Sequence, residues 1–381
     1  MRVLLAPAAE SLGRMFTGFN AFEYELISRL AEEGIECYVT AINPPKEYTK
    51  NIHPIKVKNF SAPEIYRVSK ELLRDNKVDI IHHFRFLPHS FNLLAIFHNL
   101  DKPFICGPAQ VPHVVYPDTY TRGKKISKPL INAGFAILKG LKTISTPAIN
   151  LLVAKTLDKC ETLIVVNEDA KKYYSKFVDT DKIEVIPLGV NLNKFEYSIP
   201  PNNQEIVTAG SLIKRKGFDY LIKAMETVVK DFPNARLHIF GRGPRRDYLE
   251  RLVTDMDLNG NVIFHNLVER EAFIKQIKNF RIFVHPSLSE GFSHARLEAM
   301  ACGRPVVGTN IIGGEMIENE RNGYLVPTRD PDSLAEKIMD LLEDYDLTLR
   351  MGRKARETAE KKYDVDKIAR KYLNLYERGA R

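Results

Sequence analysis

No apolar run among the 381 residues approaches the roughly 18 needed to cross a bilayer, because the longest are broken by charge or proline. The opening MRVLLAPAAESLGR is too short in its apolar part and too poorly flanked for a signal peptide. It reads as a first buried strand, and a cytoplasmic location is expected. Cysteine is sparse: Cys37, Cys106, Cys160 and Cys302 stand far apart, without the close pairing of a zinc or redox motif, and read as reduced core thiols. No Gly-X-Gly-X-X-Gly follows the first strand, which disfavours a dinucleotide oxidoreductase. A recognition helix, a zinc finger and an aromatic RNA-binding strand motif are missing too, which counts against a nucleic-acid-binding protein. What is present is ordinary for a globular chain, with 44% hydrophobic and 27% charged residues, so neither wholesale disorder nor a fibre fits. The net charge of +8 points to anionic partners, among them phosphates and lipid headgroups, without choosing between them.

The length points to two domains, with three as the alternative. Short apolar runs typical of buried parallel strands alternate with amphipathic helical stretches: VLLAP from Val3, ECYVTAI from Glu36, VDIIHH from Val78, PFIC from Pro103 and TLIVV from Thr162. The pattern restarts with EIVTAG from Glu205, RLHIF from Arg236, NVIFH from Asn261, RIFVHPS from Arg281, PVVGT from Pro305 and GYLVP from Gly323. Such alternation predicts an α/β protein of two doubly wound parallel sheets wrapped by helices. Between the two series, IPLGVNLNKFEYSIPPNNQ has no periodicity and reads as the linker. The expected divisions are a first domain over 1–195, a second domain over 201–360 and a C-terminal helix over 361–381 that packs back on the first domain. That helix carries Val365, Ile368, Ala369, Tyr372, Leu375 and Tyr376 at helical spacing.

Chemistry concentrates in RIFVHPSLSEGFSHARLEAMACGRPVVGT, from Arg281. A strand ends near Pro286, Gly291 allows a sharp path, Ser293 can cap a helix and Gly303 can end it. The helix start then lies at the carboxyl edge of a sheet, where open α/β sheets bind ligands. Glu290 falls on the loop and Glu298 inside the helix, eight positions later, so the two carboxylates can reach different hydroxyls of one extended ligand. Spacing alone leaves an exposed loop Glu and a helix-surface Glu equally open. A second signal is TAGSLIKRKGFDYLIKAM, from Thr208, where Lys214, Arg215 and Lys216 crowd a helix N-terminus whose dipole is already positive. A phosphate site resolves that conflict; a solvated basic loop is the alternative.

These residues resemble the retaining glycosyltransferases of the GT-B fold, specifically family four, whose hallmark is Glu, seven residues, then Glu. Glu290-Gly291-Phe292, Leu297 to Gly303, Pro305-Val306-Val307, Gly313-Gly314-Glu315 and Asn322 to Val326 all stand in place. The resemblance implies that Glu290 contacts the donor sugar, that Glu298 binds the ribose, and that the backbone of Gly291, Phe292 and Ser293 holds sugar or phosphate. The family's Gly-Arg-Leu reads Gly210-Ser211-Leu212 here, so the usual arginine is absent, while Lys216 is kept with Arg215 beside it as the substitute. This version looks like that of some lipopolysaccharide core glucosyltransferases and suggests a role in cell-envelope or glycolipid biosynthesis. Ser211 joins the donor-side set, as do Gly241 and Gly243 of the GRGP turn, and Gly18, which can open a helix facing the donor phosphate. Asp79-Ile80-Ile81-His82-His83 resembles the family's strand that ends at the cleft, which makes His82, His83 and Arg85 acceptor-side candidates. The family's later histidine is missing from Cys106 to Gln110, leaving His113 as a further candidate.

The stretch from Tyr116 to Lys159 sets Arg122, Lys124, Lys125, Lys128, Lys139, Lys142, Lys155 and Lys159 against Asp118 and Asp158, among apolar residues. It is suited to an anionic membrane surface or a charged lipid acceptor, and equally to a solvated basic helix face. The implied reaction moves a glycosyl group from a nucleoside-diphosphate sugar to the hydroxyl of a lipid, glycan or small acceptor, with retention. No metal cluster stands out in the sequence; Lys216 and Arg215 are expected to do a divalent ion's work, and no cofactor is expected. The rival readings are a sugar-nucleotide epimerase or glycogen-type synthase of the same architecture and, from another class, a basic nucleic-acid-binding protein.

Overall fold

The computed structural model of the chain describes residues 1–6, 18–42, 49–58, 62–75, 77–84, 102–110, 157, 160–266 and 268–380. Strands β1 (Arg2–Leu5), β2 (Glu36–Ala41), β3 (Ile52–Lys56), β4 (Ile80–His83), β5 (Phe104–Ala109), β6 (Thr162–Val165) and β7 (Ile183–Val185) form one sheet in the order β3-β2-β1-β4-β5-β6-β7. Strands β8 (Glu205–Ala209), β9 (Arg236–Phe240), β10 (Val262–His265), β11 (Ile282–His285), β12 (Val306–Thr309) and β13 (Gly323–Val326) form a second, in the order β10-β9-β8-β11-β12-β13. Every pairing within both sheets is parallel. Each residue of β4, β5, β11 and β12 is buried, as expected of strands covered on both faces.

Helices α1 (Gly18–Glu32), α2 (Ala62–Arg74) and α3 (Glu168–Tyr174) accompany the first sheet, and α4 (Phe218–Asp231), α5 (Arg246–Asp255), α6 (Arg270–Ile277), α7 (His294–Ala301), α8 (Pro331–Glu343) and α9 (Tyr345–Lys362) the second. The last helix, α10 (Val365–Gly379), returns to the first sheet. It packs along α1, Arg29 bonds Asp366 at 2.5 Å, and Tyr372 and Tyr376 are fully buried. At the crossing back, Val190 N–H donates to Tyr363 O (2.8 Å) and Val365 N–H to Val190 O (3.1 Å).

Strands β3 and β7, which have no apolar run to announce them, sit at the two edges of the first sheet. β3 reads IHPIK and is mostly exposed; its Pro54, unable to donate to a ladder, is tolerated at an edge.

The return of α10 corrects the expectation for His82. Its Nε2 lies 3.0 Å from the carbonyl of Gly107 and its Nδ1 2.6 Å from the Tyr376 hydroxyl. A carbonyl can only accept, so Nε2 carries the proton and Nδ1 accepts from Tyr376. Both ring nitrogens are therefore committed to joining α10 to the sheet, and burial drives the ring down to about 3 despite the Gly107 bond. His83 is likewise fully buried, and burial brings it to about 4. Replacing Tyr376 by Phe strips the donor from a buried Nδ1 and is expected to cost about 1–3 kcal/mol. Thermal unfolding followed by circular dichroism checks this; an unchanged midpoint contradicts the clamp.

Candidate active site

The strand order of the second sheet reverses between β8 and β11, whose residues pair as Ile206 with Ile282 and Val207 with Phe283. A reversal leaves the loops after the two strands diverging to opposite faces, with a crevice between their carboxyl ends. The loop after β8 carries Lys214, Arg215 and Lys216, and the loop after β11 carries Glu290.

Tight backbone contacts hold these loops together. Gly217, left-handed at φ 65°, caps α4, and a Cβ there would stand 2.1 Å from the carbonyl oxygen of Pro286. Leu288 N–H donates to Arg215 O at 2.8 Å, and Arg215 Nη1 donates to Ser289 O at 2.7 Å. The GRGP turn braces the β8 loop from the other side: a Cβ on Gly241 would lie 1.9 Å from Gly210 O, and one on Gly243 2.4 Å from Leu212 O. Gly241 and Gly243 thus have a packing reason to be glycine. Ser211 is exposed at the tip of this loop.

The result is an ion cluster around the buried Glu290. Arg215 Nη1 lies 2.8 Å from Glu290 Oε2, Lys216 Nζ bonds Glu290 Oε1, and Ser287 Oγ donates to Oε1 at 3.2 Å. Burial alone would raise the Glu290 carboxyl, but Lys216 and then Arg215 outweigh it and hold it well below the usual carboxylate range. Behind the loop, His285 and Arg296 are both buried, with Arg296 Nη2 3.0 Å from His285 Nδ1. Burial first, then Arg296, Lys216 and Arg215, keep His285 neutral against the opposing pull of Glu290. Burial also lowers Arg296 to about 10, opposed by Glu290 and Tyr363. Two cationic side chains, Lys216 and Arg215, therefore share the one carboxylate of Glu290, with Arg296 behind His285. Such an excess of positive charge suits an anion.

Glu298, one helix turn and more beyond the start of α7, is buried and pairs with Arg270 at 2.7 Å. Burial raises its carboxyl while Arg270 opposes. The Arg270 guanidinium lies 5.3 Å from the ring centre of Phe195.

The Glu290 loop also meets the first domain. Asn167 Nδ2 donates to Gly291 O at 3.2 Å, and a Cβ on Gly291 would fall 2.3 Å from Gln110 Oε1. Phe292 is buried edge-on against His294 and Tyr363, so only its backbone is available to a ligand. Ser293 caps α7 by accepting from Arg296 N–H at 3.3 Å. Gly18 opens α1, whose Phe22 ring lies 6.3 Å from that of His294, so the start of α1 approaches the start of α7.

Of the residues singled out by sequence, Lys216, Arg215 and Glu290 are in direct contact, with Gly291 and Ser293 on the same loop and helix cap. His82 and His83 are elsewhere, inside the first domain. Arg85 and His113 lie outside the described residues. Sequence reading missed Arg270, His285 and Arg296; none belongs to a spaced motif, although His285 closes the strand that leads into the Glu290 loop.

Two family models tile the chain: "Glycosyltransferase Family 4" matches residues 17–194 and "Glycosyl transferases group 1" residues 190–358. Among curated proteins, an uncharacterised glycosyltransferase of Methanocaldococcus jannaschii is 31% identical over 256 residues, 62% of this chain and 65% of that protein. A poly(ribitol-phosphate) alpha-N-acetylglucosaminyltransferase of Staphylococcus aureus is 33% identical over 229 residues, 59% of this chain and 45% of that enzyme. The matches span less than two thirds of either relative. Among solved structures, a sucrose-phosphate synthase from Thermosynechococcus elongatus superposes with a TM-score of 0.76 at 20% identity, covering 99% of this chain and 98% of that one, a likeness of fold.

Proposed function

The chain belongs to the group 1 glycosyltransferases and has their GT-B fold, and from that premise we propose that it moves a sugar from a nucleoside diphosphate to an acceptor hydroxyl with retention of configuration. The observation that carries this reading is the contact of Lys216 and Arg215 with Glu290 at the strand-order reversal of the second sheet. Breaking the glycosidic bond develops negative charge on the departing diphosphate. Lys216 and Arg215, fixed beforehand in a mostly buried cluster, stabilise that charge without having to reorganise. Glu290, kept ionised by the same two cations, accepts hydrogen bonds from hydroxyls of the donor sugar. Glu298 does the same for the ribose, with Arg270 as its resting partner. The amides of Gly291 to Ser293 and the start of α1 at Gly18 add donors on the phosphate side. No carboxylate is assigned as a nucleophile; in a front-face reaction the leaving phosphate takes the acceptor's proton.

Because two fixed cations face the leaving group, the reaction proceeds without a metal ion. Turnover is expected to be unchanged by a chelator; activity lost to chelation and restored by magnesium contradicts this part. A glycan or lipid-linked acceptor of the cell envelope is favoured by the polyol-phosphate acceptor named for the staphylococcal relative. Peripheral contact with anionic membranes rests on the basic composition of residues 116–159, nearly all outside the described residues. Co-sedimentation with anionic vesicles at low salt is the expected result, and its absence removes that part. The whole reading is tested by incubating the protein with a panel of nucleotide sugars and measuring nucleoside diphosphate release, with and without a lipid extract. Release with one donor that rises with acceptor is expected; no release with any donor contradicts it.

A further inference from the structure

Arg296 is fully buried in α7, yet its guanidinium makes little use of its five donors. Nη2 bonds the ring of His285, while Nε and Nη1 find no hydrogen-bond partner among the described residues. Space is tight around it, since a Cβ on Gly308 would come within 3.0 Å of Nη2. A buried cation so poorly satisfied is costly, and an apolar side chain of similar volume would serve packing better. Its single bond must therefore do something that packing does not.

A guanidinium can only donate, so His285 Nδ1 must accept and the ring proton must sit on Nε2. That nitrogen lies 3.0 Å from Ser293 Oγ and 3.3 Å from Ser287 Oγ, the serines that flank Glu290 on its loop. Ser293 Oγ already accepts the capping bond from Arg296 N–H. Ser287 Oγ, receiving from the ring, is left with its own hydrogen to give, and Glu290 Oε1 is 3.2 Å away. With the ring proton on Nδ1 instead, Nε2 would offer its one lone pair to the two serine hydroxyls, and Ser287 would divide its hydrogen between the ring and Glu290.

We propose that Arg296 is a positioning residue for the transfer reaction: it locks His285 as the Nε2–H tautomer, and the ring then turns Ser287 to donate to Glu290. The inference rests on Glu290 acting on the donor sugar. The charged groups that face the ring are Arg296 from α7, Lys216 and Arg215 from the loop after β8, and Glu290 from its own loop. Three of the four are cations, so the ring stays neutral and the lock concerns which nitrogen holds the proton, not whether the ring is charged.

The test joins histidine-labelled nitrogen-15 spectroscopy to kinetics on wild type and Arg296→Met. In the wild type His285 is expected as the neutral Nε2–H form with no titration between about pH 5 and 8, the range in which histidines ordinarily change charge. In Arg296→Met the ring is expected to populate both tautomers and to titrate at higher pH, because a neighbouring cation is gone. kcat is expected to fall about 10- to 100-fold, as for other partners that orient an active group, more than the donor KM rises. Thermal stability is expected to hold or increase, whereas a merely structural arginine would lower it. A wild-type ring protonated on Nδ1, or a variant with unchanged kcat, overturns the proposal. The ring spectrum and the melting curve need no substrate, so a chain that transfers no sugar at all would sink the functional reading while the tautomer is still decided. Should Arg296→Met not fold, His285→Gln and His285→Asn decide the kinetics. Gln brings an amide donor near the Nε2 position and is expected to keep more activity than Asn, and equal losses overturn the proposal.

Discussion

Lys216→Ala is expected to lower kcat about 100- to 1,000-fold, the usual loss when one fixed donor facing a developing oxyanion is removed. The side chain lies between two partners: its aliphatic end packs at Gly210, where a Cβ would meet it at 3.4 Å, and its ammonium bonds Glu290. The fold should tolerate the change, because Arg215 still pairs with Glu290 at 2.8 Å and no carboxylate is left bare. Loss of rate with a near-normal melting temperature is therefore the expected signature, read from nucleoside diphosphate release and from a melting curve. A rate within error of wild type would contradict the role given to Lys216.

Glu290→Gln separates the sugar from the phosphate. The amide keeps the shape but removes the charge, so donor-sugar hydroxyls lose a charge-assisted bond and kcat/KM is expected to fall about 10- to 100-fold. Lys216 and Arg215 meanwhile lose their counter-ion, and breaking a buried pair in this way is expected to cost about 3–5 kcal/mol of stability. Free nucleoside diphosphate should bind at least as well as to wild type, since two cations now await it. The pH dependence follows from the depressed carboxyl. A group whose folded value lies below its ordinary 4.5 contributes stability that is full above 4.5 and is lost as pH falls through the folded value. The stability gap between wild type and Glu290→Gln should accordingly be full at neutral pH and close only in strong acid. A gap that stays constant into acid, or diphosphate binding that collapses with the charge, would contradict the cluster.

Much of this arrangement was legible in the sequence, for identifiable reasons. Buried parallel strands must be apolar on both faces, so runs such as those around Val284 and Val307 stand out. The edge strands β3 and β7 escaped because an edge needs no such run. Glu290, Lys216 and the cap at Ser293 are local signals, written within a few residues of a loop and a helix start. Arg270 and Arg296 are not: their partners, Glu298 and His285, are chosen by the packing of α6 and α7 against the strands, and nothing in the spacing marks them. His82 misled for the same reason. Its place at the end of β4 suits a cleft residue, but Tyr376, 294 positions away, occupies its Nδ1.

The most direct measurement is calorimetric titration of nucleoside diphosphates into the wild type and Lys216→Ala. If the basic pair at the mouth of the second sheet grips a diphosphate, at least one of the series binds the wild type and binds the variant about tenfold or more weakly, the worth of one charge-assisted contact. No binding by any diphosphate, or equal affinity for the two proteins, would contradict the account.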